Sequence, residues 1–194
     1  MDEVFVAGLG AQIVLLVGIV GTVVSDSFSF WPPGDRDWRF WTYWTASTIF
    51  TGSVLVLAVL NSGTLAIPLW IRYAGGAVLA FSVVFTAVSA YYIRTATLGL
   101  EGQLYTGGAY RYTRNPQYVG FIGVAVGLIA TAAAELLVPL LTLCIAWLWI
   151  HPRPEETWLA EQYGGEYEEY CENVPRFVDS RTFRRLLEDV QDRS

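Results

Sequence analysis

Lysine is absent from this chain: all 12 of its Lys-plus-Arg positions are arginine. Against 18 acidic side chains they leave a formal net charge of −6, which argues against nucleic acid as a partner, because phosphate recognition needs basic patches. Cysteine is almost absent too. Cys144 falls inside an apolar run and Cys171 in a polar tail, so no disulfide framework is expected. The lone histidine, His151, belongs to no His/Cys/carboxylate cluster at ligand spacing, and no metal is expected. A Walker loop, a GxGxxG after a strand and a Ser-His-Asp order are missing as well.

What the chain has instead is apolar length. Its hydrophobic set makes up 54% of the residues, well above what a soluble core of this size needs. Apolar runs lie at about residues 4–24, 40–60, 69–93, 118–134 and 136–150. The last two are about 17 and 15 residues long, short for a hydrocarbon layer that takes roughly 20 residues per helix. They read as a tilted hairpin turning at Glu135 or as two half-buried helices, so five crossings is the expected count and four the alternative. The fold expected is all-α and polytopic, with about five transmembrane helices in a domain over residues 1–151 and a cytoplasmic C-terminal helical segment over 152–194.

The acidic start, Asp2-Glu3, is unlike the basic beginning of a cleaved signal, so the first run is expected to remain as a span. With the N-terminus outside, loops 25–39 and 94–116 and the tail after 151 collect every arginine except Arg72. That distribution predicts an N-out, C-in protein of the plasma membrane. The loop from Trp31 to Trp41, WPPGDRDWRFW, has turn chemistry flanked by indoles; headgroup-level anchoring explains it, and a substrate or lipid gate is the alternative.

Side chains with chemistry collect after residue 100. In GGAYRYTRNPQYVG, residues 107–120, Asn115 suits an N-cap and Pro116 a first helical position, so a helix is expected to start here and run into the membrane. Its free N–H groups, with Arg111 and Arg114 close by, suit a carboxylate or phosphate. Gly107 and Gly108 let backbone approach a ligand, and Tyr105, Tyr110, Tyr112 and Tyr118 offer faces for an adenine or a sulfonium cation. The same residues also satisfy ordinary interfacial preferences, arginine inside and tyrosine at the headgroups.

Farther along, Pro152 and Pro154 end the last apolar run, and Glu155-Glu156 open a helix with the charge its N-terminus favours. Either carboxylate can be solvated capping charge or can accept the two hydroxyls of a ribose. Leu159, Tyr163, Tyr167, Tyr170, Val174 and Phe177 recur at helical steps interrupted by Gly164-Gly165, predicting a broken amphipathic pair. Phe183, Leu186, Leu187 and Val190 give one apolar face to a last short helix that can lie on a membrane surface.

LYTGGAYRYTRNPQYVG resembles the loop-and-helix signature of the isoprenylcysteine carboxyl methyltransferases and the related phospholipid methyltransferases. In those small multi-span enzymes a Thr-x-Gly-x-Tyr segment precedes Arg-His-Pro-x-Tyr-x-Gly. EETWLAEQYGGEYEEYCENVPRF is similar to their second signature, paired glutamates before a Gly-x-x-Tyr-x-x-Tyr run and Val-Pro. The resemblance covers roughly residues 95–178. It implies a cytoplasmic pocket for S-adenosylmethionine, completed by the tail. Gln103, Leu104 and Tyr105 would line the cofactor, Tyr110 would approach it from the glycine turn, and Asn115, Pro116, Gln117 and Tyr118 would surround its amino-acid end. Glu155 or Glu156 would meet its nucleoside. The family's substrate-facing arginine falls near His151 and Arg153, the catalytic candidates on that ground. Asn115 stands where the family usually has histidine, and an amide cannot take a proton near neutral pH.

The function implied is an S-adenosylmethionine-dependent methyltransferase at the cytoplasmic membrane face. Its partners would be the bilayer and a lipophilic or membrane-embedded acceptor such as a prenylcysteine carboxylate. Two alternatives stay open: an NADPH-dependent membrane reductase of the sterol-reductase-like type, and a non-enzymatic membrane protein that retains the fold.

Overall fold

The computed structural model describes residues 1–25, 27–32, 36–93 and 104–191. Every regular element among them is helical. In chain order these are α1 (Asp2–Val24), α2 (Trp38–Leu60), α3 (Leu69–Tyr92), a 3-10 turn (Gly108–Arg111), α4 (Pro116–Ala132), α5 (Leu137–Ile150), α6 (Pro152–Tyr163), α7 (Gly165–Asn173) and α8 (Ser180–Gln191).

Three helices, α1, α2 and α3, are long and apolar enough to cross a bilayer. At 1.5 Å per residue each reaches about 35 Å, which covers a hydrocarbon layer of about 30 Å. The fourth and fifth runs form helices of 17 and 14 residues, about 26 and 21 Å long. By length and composition the integral membrane character rests on these three helices among the described residues, with α4 a shorter apolar helix beside them.

The chain divides into two compact units. The first comprises Met1–Ala80 with Ile122–Glu155 and the second Phe81–Phe121 with Glu156–Ser194. In the first, α1 lies along α2 and against α5, and Leu15, Ile19, Leu57, Leu137 and Leu140 are wholly buried. The helix ends there are closed from within. Asp37 caps α2 by accepting from the backbone of Arg39 and Phe40. The loop after α2 satisfies the α4–α5 turn: Gly63 N donates to Ala132 O at 2.9 Å, Leu65 N to Ala133 O at 2.8 Å, and Glu135 N to Thr64 Oγ1 at 2.9 Å. Groups left open at helix ends need such partners wherever water is scarce.

Small residues set the crossing of α3 and α4 in this unit. A Cβ on Gly127 would lie 2.7 Å from Leu79 N, and one on Gly75 would lie 2.6 Å from Ala130 Cβ. Close backbone approach of this kind is how helices associate in lipid, where burial between helices gives no hydrophobic gain. The second unit has a tyrosine core. Tyr167 and Tyr170 of α7 and Val174 just after it are buried against Leu159, Ala160 and Tyr163 of α6 and against Leu104. The break between α6 and α7 falls at Gly164, as the paired glycines predict.

Candidate functional site

In the second unit, α4 starts with Pro116 at its first position, buried and with no N–H to leave unpaired. The three residues before it are strapped to the chain after α7. Arg114 N donates to Pro175 O at 2.9 Å and Thr113 Oγ1 to Arg176 O at 3.0 Å. Asn115 Nδ2 donates to Arg176 O at 3.1 Å and to Glu156 Oε1 at 3.3 Å. Asn115 and Glu156, which the sequence assigns to opposite ends of one ligand, are thus hydrogen-bonded neighbours.

Glu156 is the hub. Arg176 Nε lies 3.0 and 2.9 Å from its two oxygens and Arg114 Nη2 lies 3.4 Å from one of them. The carboxylate is 11% exposed. Its hydrogen bond with Arg176 holds that guanidinium above the usual arginine range. Two arginines face one carboxylate, so the cluster retains one net positive charge at the α4 N-terminus, itself an anion-favouring end. Two donors here are shut from solvent with no acceptor among the described residues: Arg114 Nε and Gln117 Nε2. Buried donors are normally paired. An anionic group such as the carboxylate of an amino-acid moiety fits these two.

The aromatic residues before the cluster are packed on one another. Tyr105 stacks on Tyr92 with centroids 5.3 Å apart and meets Tyr110 edge-on at 5.6 Å. Gly108 has φ +55, a left-handed conformation that favours glycine and opens the 3-10 turn. Tyr110 is buried, and its carbonyl accepts from Tyr170 Oη at 2.7 Å. Burial pushes the Tyr170 hydroxyl above its ordinary range, so it stays a neutral donor. Leu104 packs on the tyrosine core and Tyr118 is half-buried within the first turn of α4. Gln103 lies outside the described residues.

His151 and Glu155 belong to the first unit. His151, 2% exposed, ends α5 by donating its N–H to Trp147 O at 2.9 Å. Pro152 and Pro154 follow, and each lacks the N–H that would continue the ladder. The imidazole meets Trp147 edge-on at 4.4 Å. Its Nε2 is 3.4 Å from Tyr43 Oη and its Nδ1 is 3.5 Å from Glu155 Oε1. Burial pushes the imidazole down to about 3, so it is neutral at pH 7. Glu155 accepts from Trp31 Nε1 at 2.8 Å, and the Trp31 ring stacks on Tyr43 at 4.4 Å. Arg153 is half-buried in the first turn of α6.

Three participants were hidden from the sequence. Arg176 counts there only toward the cytoplasmic excess of arginine, although it follows Val-Pro in the second signature. Trp31 is expected at the headgroups, yet its indole is half-buried on Glu155, while Trp38 and Trp41 of the same loop-and-helix start are exposed as expected. Tyr43 carries no local signal at all. A single carboxylate in reach of a distant indole can be found only from coordinates.

Among known proteins, the phospholipid methyltransferase family model matches residues 70–166, half of the chain. No curated protein and no solved structure matches it. The match contains Asn115, Pro116, Gln117, His151, Arg153 and both glutamates, and it ends before Arg176 and α8.

Proposed function

The chain belongs to the phospholipid methyltransferase family, and on that premise we propose that it transfers the methyl group of S-adenosylmethionine to a lipophilic acceptor at the cytoplasmic membrane face. The observation carrying the reading is the α4 N-terminus, where the unpaired donors of Arg114 and Gln117 lie beside an excess positive charge. Those groups, with Asn115, Pro116 and Tyr118, would hold the cofactor's amino-acid end. Leu104, Tyr105 and Tyr110, together with Gln103, would line its remainder. When bound, the cofactor supplies a methyl group on an electron-deficient sulfonium.

Methyl transfer of this kind is an in-line displacement, for which orientation alone contributes about 7 to 11 kcal/mol. The chain's task is to fix two reactants and exclude water. Glu156 has most of its acceptor capacity taken by Arg114, Arg176 and Asn115, so its role is to set the arginines rather than to hold a ribose. Glu155, which accepts from the Trp31 indole, is the other carboxylate the family resemblance offers, and the hydroxyl groups are assigned to it.

His151 and Arg153 stand on the acceptor side of this proposal. An imidazole whose proton affinity is depressed to about 3 is a poor base at neutral pH. It serves instead as a hydrogen-bonding group, oriented by Glu155 and Tyr43. An acceptor needing no base, such as a carboxylate, suits that arrangement better than a protonated amine, and Arg153 is the cation the family resemblance places nearest to it. A prenylcysteine-type carboxylate is such an acceptor.

An NADPH reductase would need free guanidinium charge for the extra phosphate. Arg111 is paired with Asp189, and the one excess charge beside Arg114 is what the amino-acid carboxylate would take, which counts against that alternative. The N-out, C-in topology and plasma-membrane location complete the proposal. Calorimetric titration of detergent-purified protein with S-adenosylmethionine and with NADPH tests it, followed by a labelled-methyl assay over lipid extracts. Binding of the first alone is expected. Binding of NADPH, or of neither, overturns the reading.

A further inference from the structure

The last helix lies beyond the family match and has three distinct faces. One face is docked. Thr182 Oγ1 donates to Tyr112 O at 2.7 Å, Arg185 Nη1 donates to Arg111 O at 2.8 Å, and Asp189 accepts from Arg111 at 3.1 Å and from the Tyr112 hydroxyl. At 100° per residue, a second face gathers Phe183, Leu186, Leu187 and Val190, all exposed. Between the two on the remaining side lie Arg181, Arg184 and Glu188, also exposed.

The polar face is firmly held on the turn that follows Gly108, so the orientation of the apolar stripe is set by the fold and not by chance. Its width, about 100°, is that of a helix that buries one side. A shallow groove of about 220 Å³ adjoins it, lined by Glu172, Asn173, Arg181, Arg184, Arg185 and Glu188, with three cations to two anions. On the helical wheel Arg184 borders the stripe at Leu187, so its guanidinium can reach a phosphate while the stripe sits among acyl chains, the usual arrangement of an interfacial helix.

A second copy of the chain is the competing occupant. Four side chains at roughly 150 Å² each give at most about 600 Å², short of the approximately 800 Å² per partner of a stable interface. A leaflet sets no such threshold. A membrane is also at hand, because the same chain carries three helices long and apolar enough to cross one. We propose that α8 is an interfacial helix whose Phe183–Leu186–Leu187–Val190 stripe enters the headgroup region of an anionic leaflet, while its docked face clasps the Arg111–Tyr112 backbone.

This inference goes beyond the methyl-transfer reading and stands without it. The test places a fluorophore at Leu187→Cys or at Glu188→Cys, in a Cys144→Ser/Cys171→Ser background of the full chain. Each protein is reconstituted into vesicles of phosphatidylcholine alone or with phosphatidylglycerol. A nitroxide-labelled lipid and aqueous acrylamide serve as the two quenchers. The expected result is severalfold stronger lipid quenching at position 187 than at 188, with the reverse for acrylamide. Arg184→Glu should weaken the lipid quenching at 187 in the anionic vesicles only. Equal acrylamide quenching at both positions overturns the proposal, as does self-quenching at 187 that grows with protein-to-lipid ratio, the mark of a second copy. Should the cysteine background misfold, hydrogen exchange of the native chain decides. Residues 183–190 exchange more slowly in anionic vesicles than in detergent if the proposal holds, and unchanged exchange sinks it.

Discussion

Glu155 closes one compact unit and Glu156 opens the other, and the two neighbours live in opposite chemistries. Glu155 lies among rings. It meets a neutral indole at 2.8 Å and a neutral imidazole at 3.5 Å and keeps 31% of its side chain exposed. Glu156 lies among charges, between two guanidiniums and an amide, and is 11% exposed. The first environment includes an aromatic donor and a neutral ring, and the second is charge-compensated by two guanidiniums. Sequence adjacency says nothing of this division, because it depends on partners more than a hundred positions away for Glu155 and on both signatures for Glu156.

The sharpest way to break the comparison is to neutralise each glutamate in turn. Glu156→Gln removes the counter-charge of the nearly buried Arg114, and breaking a buried pair costs about 3 kcal/mol. Chemical or thermal denaturation in detergent measures this, and cofactor affinity should fall with it. Gly127→Ala attacks the first unit without touching either carboxylate. Its new methyl group would press on the backbone of α3, and overpacking costs about 2 kcal/mol, read by the same unfolding assay.

The rings around Glu155 make a pH prediction. His151 has a folded proton affinity far below its unfolded value of 6.5. Its contribution to stability is therefore complete above about pH 6.5 and is lost as pH falls toward 3, at about 1.4 kcal/mol per pH unit. Unfolding curves from pH 7 to 4 should show that slope, and His151→Gln should flatten it. The smallest effect belongs to Glu155→Gln. It keeps an acceptor for Trp31, so stability should change by less than about 1 kcal/mol, while methyl transfer should drop if this carboxylate holds the nucleoside. Equal losses at both glutamates would erase the distinction between them.

Much of the architecture is legible locally. Uninterrupted apolar runs predict α1, α2 and α3; Asn115-Pro116 predicts the start of α4; Gly164-Gly165 predicts the break before α7. Each of these is decided within a few residues, by periodicity, by a missing N–H or by backbone freedom. The hubs are not. Arg176 reaches Glu156 from twenty positions away and Trp31 reaches Glu155 from 124, so both pairings follow from how helices pack. The shortness of the fourth and fifth runs is legible too, since their helices have 17 and 14 residues, but run length alone does not decide the number of spans.

That shortness reaches into the lipid itself. Glu135 is exposed at the α4–α5 turn, and a carboxylate does not rest in hydrocarbon. The turn is fastened to the loop after α2, so Glu135 stays at the wet end of a helix of 23 residues although α5 has only 14. The deficit is taken up at the other end: α5 closes at His151 against Tyr43, more than one turn inside α2, so these two side chains are sunk below the rim that Asp37 caps.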